Sequence, residues 1–255
     1  MASTNRSAEK WPIREAIENM QSQTTDAWQL IESGQYELAV EVYSRFYQED
    51  GRPFNLRNRG IAHLNMDNYT SALADFKLEL AITDSKFLDS GVYIFQGVCY
   101  WNLNQPFEAI HVWREALSTP YTDAAGGIEP SLLLLYTAER LDDSGLRQEA
   151  LHLLRKHTRR KVVEWPGPLG SFVLGRTNLD ELARDVGDTK LTTLVERRQC
   201  QAEFYVALQA LRKGDWSSFQ NSISRCAASR QGYLEHEYYL ARWEVKHGFP
   251  KPAFR

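Results

Sequence analysis

Apolar residues recur along most of the chain at intervals of three and four, in paired blocks separated by short polar breaks. That spacing predicts amphipathic helices joined as hairpins. The breaks repeat, and so do the residues just after them. "ESGQYELAVEVYSRF" carries Gly34, Tyr36, Ala39 and Tyr43, and "LNMDNYTSALADFKLEL" carries Asp67, Tyr69, Ala72 and Phe76. "WNLNQPFEAIHVWREAL" carries Asn104, Phe107, Ala109 and Trp113, and "LDDSGLRQEALHLLRKH" carries Gly145, Leu146, Ala150 and Leu154. Far downstream, "LRKGDWSSFQNSISRCA" supplies Gly214, Trp216, Phe219 and Ile223. The alanines at 39, 72, 109 and 150 lie 33, 37 and 41 residues apart, a degenerate period.

Hairpin packing accounts for this punctuation. Gly, Asn or Asp before the turn ends the first helix, helix A, because these residues tolerate left-handed or capping geometry. A small residue in helix B then admits close approach, and the large side chain one turn later fills the groove beside it. Each hairpin leaves an apolar face that only its neighbour can cover, so the array grows as a solenoid. Phe219 stands where the other units have alanine, so packing is expected to change in the last one.

The pattern resembles the tetratricopeptide (TPR) repeat, with Gly60, Gly97, Ala138 and Ala207 at the small position of helix A and Tyr100 at its tyrosine, where His63 departs from it. The resemblance covers residues 20–160 and 200–246 and is strongest over 53–86 and 90–120. It implies an all-α, right-handed superhelical solenoid of about five hairpins with capping helices. The expected organisation is a capping segment (1–19, with a helix starting near Pro12), four hairpins (20–160), an irregular Trp-Pro-Gly-Pro junction (161–199), a last hairpin with a terminal helix (200–246) and a tail (247–255). In the junction, Thr177 or Asn178 is placed to cap a short helix. The Trp165-Pro-Gly-Pro turn and the terminal "EHEYYLARWEV" are also similar to bacterial TPR lipoproteins that scaffold envelope peptidases. The lipobox cysteine and signal segment of those proteins are missing here, so their membrane anchorage does not carry over.

The resemblance also implies where a partner binds, because TPR arrays use helix A residues on the concave face. Matched positions are Thr24, Trp28 and Ile31, then Phe54, Arg57, Ile61 and Asn65, then Ile94, Val98, Trp101 and Asn102, and finally Phe204, Leu208 and Arg212. Of these, Trp28, Phe54, Arg57, Asn65, Ile94, Trp101, Asn102, Phe204 and Arg212 are the expected partner-binding residues. The carboxylate clamp of chaperone-binding TPR domains needs Lys and Asn one turn apart; Thr24 and Trp28 occupy those places in the first helix A, and Ile61 replaces the asparagine in the next. That role is therefore not expected.

Composition narrows the chemistry. In 255 residues, 30 basic against 33 acidic side chains leave a net charge of -3, which argues against a chain devoted to coating nucleic acid or anionic membrane. The run "RKHTRRK" is the exception. Arg155, Lys156, Arg159, Arg160 and Lys161 form either a solvated helix end or a docking patch for an acidic protein surface. Cys99, Cys200 and Cys226 are too few and too scattered for a disulfide framework, so a reducing, cytoplasmic setting is expected. The polar N-terminus has no apolar core of a signal peptide, and no apolar run is long enough to span a membrane.

The six histidines include no metal-binding spacing, Cys99 reads as a packing residue, Asp142 and Asp143 have no carboxylate partner, and neither a nucleophile elbow nor a phosphate loop is present. The expectation is a non-enzymatic scaffold or adaptor without cofactors, which binds a partner protein or peptide on its concave face. A bacterial immunity or regulatory protein that binds and blocks a cognate toxin or effector, and a structural homo-oligomer, such as a homodimer, using "FYVALQAL" with "EHEYYLARW", are the alternatives.

Overall fold

A computed structural model describes residues 27–121, 127–158 and 164–250. The expected capping helix near Pro12, Thr24, and the basic residues Arg159, Arg160 and Lys161 lie outside the described residues. Within them the chain is all-α, a run of antiparallel helix pairs in which each pair packs on the next, as in a TPR-like solenoid. No strand occurs among the described residues; Asp89 and Tyr121 form an isolated bridge.

Helical residues 27–32 (α1) pair with α2 (Tyr36–Asp50), α3 (Pro53–Asn65) with α4 (Tyr69–Ile82), α5 (Ser90–Asn102) with α6 (Pro106–Ala116), and α7 (Ile128–Leu141) with α8 (Ser144–His157). Two short helices, α9 (Gly167–Val173) and α10 (Leu179–Gly187), lead to a fifth pair, α11 (Thr192–Arg212) and α12 (Trp216–Ala227). A final helix, α13 (His236–Lys246), comes last. Proline opens α3 and α6, where its missing N–H costs no hydrogen bond.

The turns explain the repeated punctuation. Gly34, Asp67, Asn104 and Gly214 all adopt left-handed backbone angles, with φ of 77°, 57°, 59° and 75°. In the fourth pair the left-handed residue is Asp142 (φ 52°), whereas Gly145 lies inside α8; Asp143 caps that helix by accepting from the Leu146 N–H at 2.9 Å. Between the helices, Ala39, Ala72, Ala109 and Ala150 are fully buried, as are Tyr43, Phe76, Trp113 and Leu154 one turn later. In the second and third pairs, where helix B brings Phe76 and Trp113, helix A has glycine: a Cβ on Gly60 would sit 2.6 Å from Phe76, and one on Gly97 2.1 Å from Trp113. Where helix B brings Leu154 or Ile223, helix A has Ala138 or Ala207. The space lost on one side matches the volume gained on the other.

In the junction Asn178, not Thr177, caps α10: it accepts from the Glu181 N–H at 3.0 Å while Glu181 accepts from the Asn178 N–H at 2.8 Å, a reciprocal capping box. Trp165 donates its indole N–H to Gln201 on α11 at 2.6 Å, which ties the Trp-Pro turn to the last hairpin. Its peptide bond to Pro166 is cis. Gly248 and Phe249 turn the chain out of α13 with φ of 68° and 54°.

Candidate functional site

The candidate site is the helix A face, and the chain's own α13 lies on it. Tyr239 accepts a hydrogen bond from Asn65 Nδ2 at 2.8 Å and donates to the carbonyl of Tyr233. Arg242 and Lys246 converge on Asp67, each at 3.0 Å, so the left-handed turn residue of the second hairpin also anchors the terminal helix. Burial pushes the Asp67 carboxyl up, but Lys246, the Tyr69 hydroxyl (which donates to Oδ1 at 2.9 Å) and Arg242 outweigh it and hold it below the ordinary range. Trp243 meets the edge of Trp101 with ring centres 6.1 Å apart, and Trp101 in turn leans on Tyr136 at 5.3 Å.

Deeper in, Glu244 receives three groups. Tyr136 donates to Oε1 at 2.6 Å, and Arg140 approaches with Nε at 2.5 Å and Nη2 at 3.1 Å. Arg140 is 4% exposed and Glu244 is fully buried. The guanidinium also donates to the carbonyl of Pro250 and lies over the rings of Trp216 and Phe219, 5.8 and 5.6 Å from their centres. Phe219 thus accounts for the altered packing expected of the last hairpin: a ring in place of alanine gives Arg140 an aromatic floor. Burial pushes the Glu244 carboxyl above its ordinary range, and Arg140 and Tyr136 only partly pull it back.

At the other end of α13, His236 Nε2 lies 3.0 Å from Glu237 Oε1, both buried. Burial disfavours the imidazolium, but the charges of Glu237, Glu129 and Glu235 outweigh it and push His236 up to about 9. A group raised above its unfolded value of about 6.5 stabilises fully below that value and loses the contribution as pH climbs through 9. Thermal midpoints measured from pH 6 to pH 10 should therefore fall more steeply for the wild type than for His236→Gln. Parallel curves would remove His236 from the alkaline transition.

The expected partner-binding residues separate into two groups. Asn65, Ile94, Trp101, Asn102 and Phe204 are between 0 and 8% exposed, so they do not line an open groove; the chain packs over them itself. Ile31, Ile61, Val98 and Leu208 are buried likewise. Phe54 is exposed at the start of α3, and Trp28 is half-buried, donating to Glu32 at 3.1 Å and lying 6.5 Å from the Tyr233 ring. Arg57 is held by Glu79 at 2.5 Å and Asp89 at 2.8 Å, and Arg212 by Glu139 at 3.3 Å in an open cleft with Asp142 and Arg147. Arg155 and Lys156 are exposed in the last turn of α8.

Local spacing did not point to Tyr136, Arg140, Tyr239 or Glu244. One signal was present: Glu237 and Glu244, seven residues apart, lie on the same stripe of α13 as Leu240 and Ala241, where acids are out of place unless paired. Among the described residues no group of three or more His, Cys, Asp or Glu side chains could hold a metal ion, and no helix is long and apolar enough to cross a membrane.

No family model and no curated protein matches the chain. In structure it is similar to the C-terminal part of a TPR repeat-containing protein from Cytophaga hutchinsonii, with 13% sequence identity and a TM-score of 0.46 over 80% of this chain and 94% of that one.

Proposed function

We propose that the chain is a non-catalytic protein-binding solenoid, a scaffold or adaptor that receives a partner protein or peptide at the rim its own α13 leaves open. The observation that carries this reading is α13 itself. The helix A face accepts a helix through alternating apolar contacts and matched polar pairs, from Tyr239–Asn65 to Glu244–Arg140, which is how a helix-receiving groove is recognised. Trp28 offers an aromatic anchor against Tyr233, just before α13, and Phe54 an exposed one at the start of α3; Arg57 and Arg212 add cations on helix A, and Arg155 and Lys156 begin a basic patch suited to an acidic partner surface. Of the buried members of the expected set, Asn65 and Trp101 meet Tyr239 and Trp243 and become available to a partner only if α13 leaves; Ile94, Asn102 and Phe204 are buried as well.

Affinity capture from the lysate of the native organism tests the reading. Phe54→Asp, an exposed change that leaves the core intact, should cut recovery of a stoichiometric partner at least about tenfold, as expected for an aromatic anchor worth more than 1.4 kcal/mol. Trp28→Ala should act in the same direction, with circular dichroism confirming an intact helical fold. Equal recovery by wild type and both variants would exclude this rim as the binding surface.

A further inference from the structure

We propose that Cys200 and Cys226 are a disulfide-forming pair, a covalent modification site that fastens the last hairpin beneath α13. The two residues stand equally far from the turn at Lys213, on facing helices α11 and α12, and their Sγ atoms are 3.2 Å apart. A disulfide needs about 2.05 Å between sulfurs on side chains that already face each other, so closure requires a sulfur movement of about 1 Å. Antiparallel packing of the hairpin supplies the facing. The third cysteine, Cys99, is buried on α5 in the middle of the array.

The surroundings leave room for the crosslink and control access to it. Gly232, in the short turn before α13, packs over Cys200; a Cβ there would lie 3.1 Å from the Cys200 sulfur and 2.7 Å from the ring of Tyr238. Both thiols are buried, Cys200 at 2% exposure and Cys226 at 0%. Formation therefore belongs to folding or to local opening of the 232–234 turn. Low-molecular-weight disulfides are the oxidant class. One cysteine thiolate attacks the disulfide and expels a thiolate, leaving a mixed disulfide. The second cysteine thiolate then attacks the protein sulfur of that mixed disulfide, forms the Cys200–Cys226 bond and expels the second thiolate. Two protein thiols are oxidised, one external disulfide is reduced to two thiols, and the two protons pass to the leaving groups.

The experiment uses the full chain, reduced and unfolded, then refolded in a buffer of glutathione and glutathione disulfide, so that burial does not block access. After acid quench and alkylation under denaturing conditions, intact mass should show one alkylated thiol instead of three, and peptide mapping should join Cys200 to Cys226. A Cys99→Ala chain should form the same link with no alkylated thiol left. A refolded wild-type chain, helical by circular dichroism, that keeps three alkylatable thiols overturns the proposal, and so does a link made through Cys99. If Cys99→Ala does not fold, the wild-type peptide map decides.

Discussion

Truncating Arg140 to alanine should destabilise the protein by about 3–5 kcal/mol, the usual cost of leaving one member of a buried ion pair alone. Glu244 would then be a fully buried carboxylate with only the Tyr136 hydroxyl to answer it. For a chain of this size that corresponds to a fall in Tm of roughly 10 °C. The pair itself is not expected to be a large net stabiliser, since burial already outweighs Arg140 in setting the Glu244 carboxyl above its ordinary range. That shift fixes the sign of the pH dependence. A carboxyl whose folded pKa is raised stabilises the fold when protonated and loses that contribution as pH rises through its folded value. Removing Arg140 raises it further, so Arg140→Ala should be closer to wild type at pH 5 than at pH 7. The double variant Arg140→Met/Glu244→Leu should recover most of the lost stability, because no charge is left buried. Chemical denaturation of the wild type and both variants at both pH values checks this. A double variant as unstable as the single one would mean that the ion pair holds α13 in place by its geometry and not only by avoiding an orphan charge.

The hairpins were legible because their determinants are local. A left-handed turn needs Gly, Asn or Asp within a few residues of the helix it ends, and Gly34, Asp67, Asn104 and Gly214 stand where that geometry occurs. In the fourth pair the eye goes to Gly145, but two aspartates precede it, and Asp142 takes the turn while Asp143 takes the cap. The site was legible only in outline. Helix A residues such as Ile61, Val98 and Trp101 are buried, and apolar and aromatic character there reads the same whether a partner or the chain itself covers them. What covers them is fixed by pairings such as Tyr136–Glu244 and Asn65–Tyr239, which are 108 and 174 residues apart. No spacing rule within a helix reaches that far; the curvature of the whole array has to bring α13 back. The same holds for Cys200 and Cys226, which look scattered until the hairpin between them folds.

Gly97→Ala is the sharper test of the hairpin design, because two effects of opposite sign meet at one atom. In an exposed helix interior, glycine to alanine gains about 1 kcal/mol from backbone entropy. Gly97 lies mid-helix in α5, so that gain applies in principle. Against it, the new methyl would stand 2.1 Å from Trp113 Nε1 and 2.4 Å from the adjoining ring carbon, far inside contact distance. Trp113 cannot swing away at small cost: it is fully buried, and its indole N–H donates to the carbonyl of Ile94 at 3.1 Å on the same helix A. Relief requires either α5 and α6 to separate or the ring to give up that hydrogen bond, which costs about 1–3 kcal/mol through overpacking and about as much again for a buried unpaired donor. The steric side wins, and the net loss should be about 2 kcal/mol or more. Trp113→Phe in the Gly97→Ala background should return part of it, since the smaller ring vacates the position of Nε1 and removes the stranded donor. Denaturant melts of the two single variants and the double measure the coupling directly. Additive losses would mean that the glycine is there for some reason other than the tryptophan it faces.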